Sequence, residues 1–136
     1  MRAFLDANVL FSASKSGSAF ARLLKFAGEH VELLTSELAV AEANRNLAVK
    51  RPEWLTAFEE LLPQIEVVPT VVFALEVDLA AKDVPLLCAA IRAEADYFVT
   101  GDRRDFGHLF DSAVSGVTVV TPLRFGQIIT DEEDLS

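Results

Sequence analysis

Short apolar runs of strand type alternate with stretches of helical spacing along this chain, and that alternation predicts an α/β domain. The expected architecture is three-layered, α/β/α, with a central parallel sheet, because strands joined through helices run parallel and place helices on both faces. Two further observations agree. About half of the 136 residues are apolar, enough for one sizeable core. No repeat, low-complexity stretch or linker divides the sequence. One domain is expected over residues 1–130, followed by an acidic, mobile tail over 131–136 that carries Asp131, Glu132, Glu133 and Asp134.

The elements follow in order. Arg2–Leu5 is a short apolar run that ends in Asp6. Ala19–Ala27 has helical apolar spacing and stops at Gly28. Val31–Leu34 reads as a strand. Ser36 is placed to cap a helix that runs through Leu38, Val40, Ala41, Leu47 and Val49 and stops before Pro52. Pro52 suits the first turn of the next helix, which carries Trp54, Leu55, Phe58, Leu61 and Leu62. Ile65–Val68 reads as the third strand. Val71–Ala81 is ambiguous, β-branched at its start and Ala-rich and acidic at its end. Pro85–Ala95 reads as a helix, Tyr97–Thr100 and Val117–Val120 as strands, and Pro122–Ile129 as a last short helix.

No segment has the apolar length needed to span a bilayer, and the start, MRAFLDANVL, lacks the apolar run of a signal peptide. A cytoplasmic protein without a membrane role is the expectation. The single cysteine, Cys88, builds neither a disulfide framework nor a cysteine metal site, and its neighbours Leu87 and Ala89 mark it as a small buried hydrophobe. The net charge of −9 looks wrong for a partner of nucleic acid. It is concentrated, however: without the four tail acids and Asp6, Glu42, Asp83 and Asp102, 13 of the 21 acids remain against 12 Lys and Arg.

Those last four acids form a pattern. In open parallel sheets the ligand site lies beyond the carboxyl ends of the strands. Asp6 directly follows the first strand, and Asp102 follows the Tyr97–Thr100 run by two residues. Asp83 sits in the connection before its helix. Glu42 lies one turn into the Ser36 helix, where a side chain can lean back toward the helix start. All four belong at one edge of the sheet. Grouped carboxylates repel one another and take up protons unless cations sit among them. Mg²⁺ and Mn²⁺ prefer oxygen ligands. Two such ions about 3.5–4 Å apart clamp the attacking and leaving oxygens of an in-line phosphoryl displacement. No side-chain nucleophile stands out, and neither histidine has a triad around it.

The motifs are more specific than the acids alone. LDANVLFSA (Leu5–Ala13), AVAEANRNL (Ala39–Leu47) and KDVPLLCAAIRAEADYFVTGDRRDF (Lys82–Phe106) occur in that order and resemble the three motif regions of the PIN-domain family. The resemblance covers Arg2 to Ile129. It implies a Rossmann-like three-layer fold and a Mg²⁺- or Mn²⁺-dependent ribonuclease with RNA as substrate, often a homodimer. Many small VapC-like members are toxins held silent by an antitoxin. Carried over, Asp6, Glu42, Asp83 and Asp102 are the catalytic and metal-ligating residues. Asn8 and Thr100 support them, and Asp105 adds a further carboxylate at lower rank. The segment between Val68 and Asp83 is short for the family, which argues against a helix there.

Single residues have plainer readings. Asp after a strand is a common turn residue, Asp83 alone suits a helix cap, and Glu42 alone suits an exposed helix face. Arg103 and Arg104 could steer phosphate, but an exposed pair is usually just solvated. His30 and His108 read as surface residues, Trp54 as core. Among other functions, a phosphatase of the haloacid-dehalogenase kind wants a second Asp two residues after the first, where this chain has Asn8. A receiver domain wants a phosphoacceptor Asp after a middle strand and a late Lys, and that set is missing. A PIN-like binding module without catalysis is the remaining alternative, disfavoured by the intact acids.

Overall fold

The structure, a computed structural model, describes the backbone of residues 1–135 and the side chains of residues 1–131. Among these, six strands form one sheet: β1 (Arg2–Leu5), β2 (Glu32–Ser36), β3 (Glu66–Val68), β4 (Tyr97–Val99), β5 (Ala113–Val114) and β6 (Val117–Val120), in the order β3-β2-β1-β4-β6-β5. Five strands run parallel. The two-residue β5 pairs antiparallel with β6, so the fully parallel sheet expected from sequence acquires a hairpin at one edge. That hairpin turns through Ser115 and Gly116, both at positive φ (49° and 89°), as two-residue hairpin loops demand.

The interior strands show why the sheet forms. Ala3, Phe4 and Leu5 of β1 are fully buried, the run expected of a strand covered on both faces. Phe4 stacks on Phe98 of the neighbouring β4 (centroids 5.3 Å), and Phe98 on Phe106 (4.9 Å). Each such ring contributes about 1.5–3 kcal/mol by leaving water. The helices between the strands are α1 (Ala7–Ala13), α2 (Ala19–Gly28), α3 (Glu37–Lys50), α4 (Leu55–Leu61), α5 (Val84–Arg92), α6 (Arg103–Phe106) and α7 (Pro122–Leu135). Ser36 caps α3 as expected, its hydroxyl accepting from the Ala39 amide. Pro52 opens a short 3-10 turn that leads into α4.

The segment read as ambiguous carries no helix, as its short length argued, and two elements depart from expectation. Residues 69–83 form neither helix nor strand. They run as an extended strap whose alternate residues Leu75, Val77 and Leu79 pack on the core, and the Phe73 carbonyl lies 3.4 Å from the buried Cys88 thiol. A helical turn, α6, follows Asp102. The last helix runs past Ile129 to Leu135, into the acidic stretch. The side chains of that tail from Glu132 on, and its expected mobility, lie outside the described residues. Among the described residues no helix is long and apolar enough to cross a membrane.

From β1 the chain steps to β2 and β3 on one side, then returns to place β4 on the other. The order therefore switches direction between β1 and β4, and a crevice opens beyond their carboxyl ends.

Candidate metal centre

Asp6 is the first residue beyond β1. Its amide continues the sheet by donating to the Val99 carbonyl (3.0 Å), and its side chain caps α1 by accepting from the Ala7 amide (2.7 Å). The other carboxylate oxygen accepts from the Thr100 hydroxyl (2.8 Å) and the Asn8 amide (3.0 Å). Asp6 is 3% exposed. Burial raises its pKa, and the Glu42 charge adds to the rise, while the donors from Thr100, Ala7 and Asn8 oppose it.

Asn8 ties the two strand exits together. Besides Asp6 and Thr100, it meets the Gly101 amide, which donates to its side-chain oxygen at 2.7 Å. A Cβ on Gly101 would stand 3.3 Å from that same oxygen, a tight contact, so glycine in the Thr-Gly-Asp turn eases the close approach of Asn8. Asp102 follows, its amide held by the Thr100 hydroxyl (3.1 Å). One of its carboxylate oxygens caps α6 by accepting from the Asp105 amide (3.0 Å). This cap brings Asp105 beside Asp102 and Asp83.

Asp83 precedes α5 but does not cap it: its side chain makes no cap hydrogen bond. It is 5% exposed, and its Oδ2 is buried without a hydrogen-bond partner among the described residues. Its pKa is pushed up to about 7, first by burial, then by a hydrogen bond shared with Asp105 and by the charges of Asp105 and Asp6, against the pull of Lys82. Lys82 Nζ lies 3.1 Å from Asp105 and 4.0 Å from Asp83 Oδ2. The Asp105 carboxyl is held below the ordinary range by hydrogen bonds from Lys82 and Asp83, and Lys82 is raised by the Asp105 contact.

The four acids singled out from sequence line one cleft of about 530 Å³, together with Asn8, Lys82 and Gly101. At its edge the tightest oxygen group is Asp83 and Asp102, which line the cleft, with Asp105, which does not; their ligand atoms lie within 4.8 Å of one another. Asp6 and Glu42 stand outside that trio. Sequence reasoning ranked Asp105 low and missed Lys82. The one legible signal was the three-residue step from Asp102 to Asp105, a cap spacing.

The donor set suits a hard divalent cation. An unpartnered buried carboxylate oxygen costs free energy, and an ion bound by the trio would relieve it. Arg103 and Arg104 are exposed and lie outside the cleft lining. His108 braces the strap through the Asp78 carbonyl (2.7 Å). Trp54 packs against the core and edge-on to Phe11.

No protein-family model matches the chain, and no curated protein matches it by sequence. Solved structures do match. VapBC2 from Rickettsia felis, bound to a DNA fragment from its promoter, is similar with a TM-score of 0.65 at 13% identity, over 89% of this chain and 98% of that one. VapBC-1 from nontypeable Haemophilus influenzae gives 0.58 at 14% identity, over 90% and 99%. FitAB bound to the IR36 DNA fragment gives 0.58 at 18%, over 88% and 94%. The likeness spans nearly the whole of each chain and identifies the architecture: this chain has the PIN-domain fold.

Proposed function

We propose that the protein is a divalent-metal-dependent endoribonuclease, and that it is the toxin of a toxin–antitoxin pair. The observation that carries the nuclease reading is the buried Oδ2 of Asp83, without a hydrogen-bond partner among the described residues, in the Asp83–Asp102–Asp105 oxygen group. Asp83, Asp102 and Asp105 would hold an ion, with Asp6 and Glu42 on the adjoining wall of the same cleft to hold a second. Mg²⁺ or Mn²⁺ bound there supplies the positive charge that activates water and offsets charge on the leaving 3′ oxygen.

The chain's own groups do the positioning. Thr100, Asn8 and the Ala7 amide fix Asp6. The α6 cap fixes one oxygen of Asp102. Lys82 holds Asp105 and balances part of the negative charge. Asn8 also argues against the phosphatase alternative. That chemistry needs an acid at this position, and the Asn8 amide is fully engaged in holding the two loops.

RNA as substrate, an antitoxin as partner, a homodimer and a cytoplasmic setting rest on the resemblance of the motifs and on the toxin–antitoxin complexes that share the fold. Purified protein should cut RNA with Mg²⁺ or Mn²⁺ and stop with chelator. Asp6→Asn and Asp83→Asn should each abolish cutting, and unchanged cleavage in both would end the assignment. Overexpression of the free protein should arrest growth and a small partner gene should lie beside its own. Harmless expression without such a gene would remove the toxin reading and leave the nuclease. A protein that binds RNA but never cuts it would be the silent module instead.

A further inference from the structure

The carboxylates of the oxygen trio stand on two carriers of different build. Asp102 caps the helical turn α6, and Asp105 lies within it. Lys82 and Asp83 end the strap of residues 69–83, where no regular hydrogen-bond pattern holds the course of the chain. Leu75, Val77 and Leu79 of the strap are half-buried against the core, and Glu76, Asp78 and Ala80 between them are exposed. Apolar packing is non-directional, so it sets which face turns inward and places the strap along its own length only loosely. Beyond Asp78 the chain closes in a turn, the Asp83 and Val84 amides both donating to the Ala80 carbonyl (2.9 and 3.3 Å). The place of this turn therefore decides where the Asp83 carboxyl stands.

Several contacts tie that turn to α6. Lys82 Nζ meets Asp105 at 3.1 Å, and Asp83 shares a hydrogen bond with Asp105. Both run through carboxylates that would hold an ion, so a bound cation competes with each of them. His108 stands apart from that competition. It follows Asp105 by three residues, in the 3-10 turn Gly107–Leu109 that continues α6. Its Nε2 lies 2.7 Å from the Asp78 carbonyl oxygen. A carbonyl oxygen only accepts, so Nε2 carries the hydrogen and donates it. The carrier of His108 is well anchored: Phe106 is fully buried and stacked on Phe98, and Leu109 is buried. The bond thus runs from a firmly packed turn to the loosely placed strap.

We infer that His108 is a positioning residue of the metal centre. Its hydrogen bond to the Asp78 carbonyl pins the strap to the α6 turn, and so sets the span from Asp83 to Asp102 and Asp105. A small hard cation makes that span matter: Mg²⁺ demands near-octahedral oxygen ligands at about 2.0–2.1 Å, and a carrier that drifts forfeits a ligand. The inference rests on the metal-centre reading and is independent of which nucleic acid is cut.

Mn²⁺ titrated calorimetrically into the metal-free protein tests it. His108→Ala should weaken Mn²⁺ binding about three- to tenfold, the reach of one neutral hydrogen bond. His108→Leu, which keeps bulk without a donor, should match it. His108→Gln, whose amide can donate to the same carbonyl, should return to within about twofold of the wild type. Hydrogen exchange on the metal-free protein needs no ion: in His108→Ala the Asp83 and Val84 amides should exchange about three- to tenfold faster, while those of β1 and β4 keep the wild-type rate. Gly116→Ala, in the β5–β6 turn, controls for general loss of stability and should leave Mn²⁺ affinity and strap exchange unchanged. Wild-type Mn²⁺ affinity in His108→Ala would overturn the inference, whatever the exchange rates do. Weakened binding that Gln does not restore would overturn the hydrogen bond as its cause. If the wild type binds no Mn²⁺, the metal-centre reading falls and takes the positioning role with it. If it binds Mn²⁺ in the predicted order of variants but cuts no RNA, the nuclease reading falls and the role of His108 stands.

Discussion

Replacing Asp83 by Asn should stabilise the metal-free protein while abolishing its activity. The wild-type carboxyl is buried, leaves Oδ2 without a hydrogen bond among the described residues, and keeps its proton up to about pH 7 in place of the ordinary 3.8. The folded state therefore binds a proton that the unfolded chain has already released between these two values. The stability linked to Asp83 is fully present below about pH 4 and is lost as pH rises through about 7. A midpoint moved that far corresponds to about 4 kcal/mol. The carboxyl lines an open cleft beside Lys82, and screening there brings the expectation to about 1–2 kcal/mol. At pH 8 with chelator, Asp83→Asn should melt roughly 4–8 °C above the wild type. At pH 5 the gap should shrink. Excess Mn²⁺ should reverse the order: at a hundred times Kd a bound ion adds about 2.7 kcal/mol to the wild type, and the variant should gain far less. Differential scanning calorimetry across pH, with and without Mn²⁺, reads all three effects. A variant that melts below the wild type at pH 8 without metal would refute the view that Asp83 is a stored electrostatic cost awaiting a cation.

Three further outcomes follow from neighbouring contacts. Asn8→Ala removes the side chain that holds Asp6, Thr100 and the Gly101 amide, and should cost about 2–3 kcal/mol in urea denaturation along with most of the activity; a loss under about 0.5 kcal/mol would contradict its bridging role. Lys82→Met frees Asp105 and should tighten Mn²⁺ binding about threefold or more by isothermal titration calorimetry, whereas weaker binding would mean that Lys82 orders the site for the ion instead of competing with it. Gly116→Ala, at φ 89° in the β5–β6 turn, should destabilise by about 1 kcal/mol and leave metal affinity alone.

The site was legible to the extent that strand ends announce it. Asp6 and Asp102 follow β1 and β4 directly, and those strands flank the point where the sheet order switches, so their convergence follows from topology alone. Glu42 reaches the same cleft because α3 starts from the carboxyl end of β2 under the Ser36 cap. Asp105 was harder. Its place is set by a four-residue helix too short for a periodic pattern, and the capping contact that creates this helix depends on Asp102 already being held by Thr100. Lys82 adjoins Asp83 in sequence, yet its nearer partner, Asp105, is brought there only by tertiary folding. β5 has two residues and no alternation to read, although Ser115-Gly116 between Val114 and Val117 was a hairpin signal. The helix α7 outran its pattern because the apolar spacing ends at Ile129 and the acids that follow offer no periodicity to read.

Cleavage-product analysis tests the central claim most directly. A 5′-labelled single-stranded RNA is cut with Mn²⁺ by wild type, Asp83→Asn and Asp102→Asn in parallel, and the ends of the products are identified. Metal-assisted hydrolysis with a 3′-oxygen leaving group predicts 5′-phosphate and 3′-hydroxyl ends from the wild type, silenced by chelator and absent from both variants. Products ending in 2′,3′-cyclic phosphate, or cutting that survives chelator and both substitutions, would contradict it.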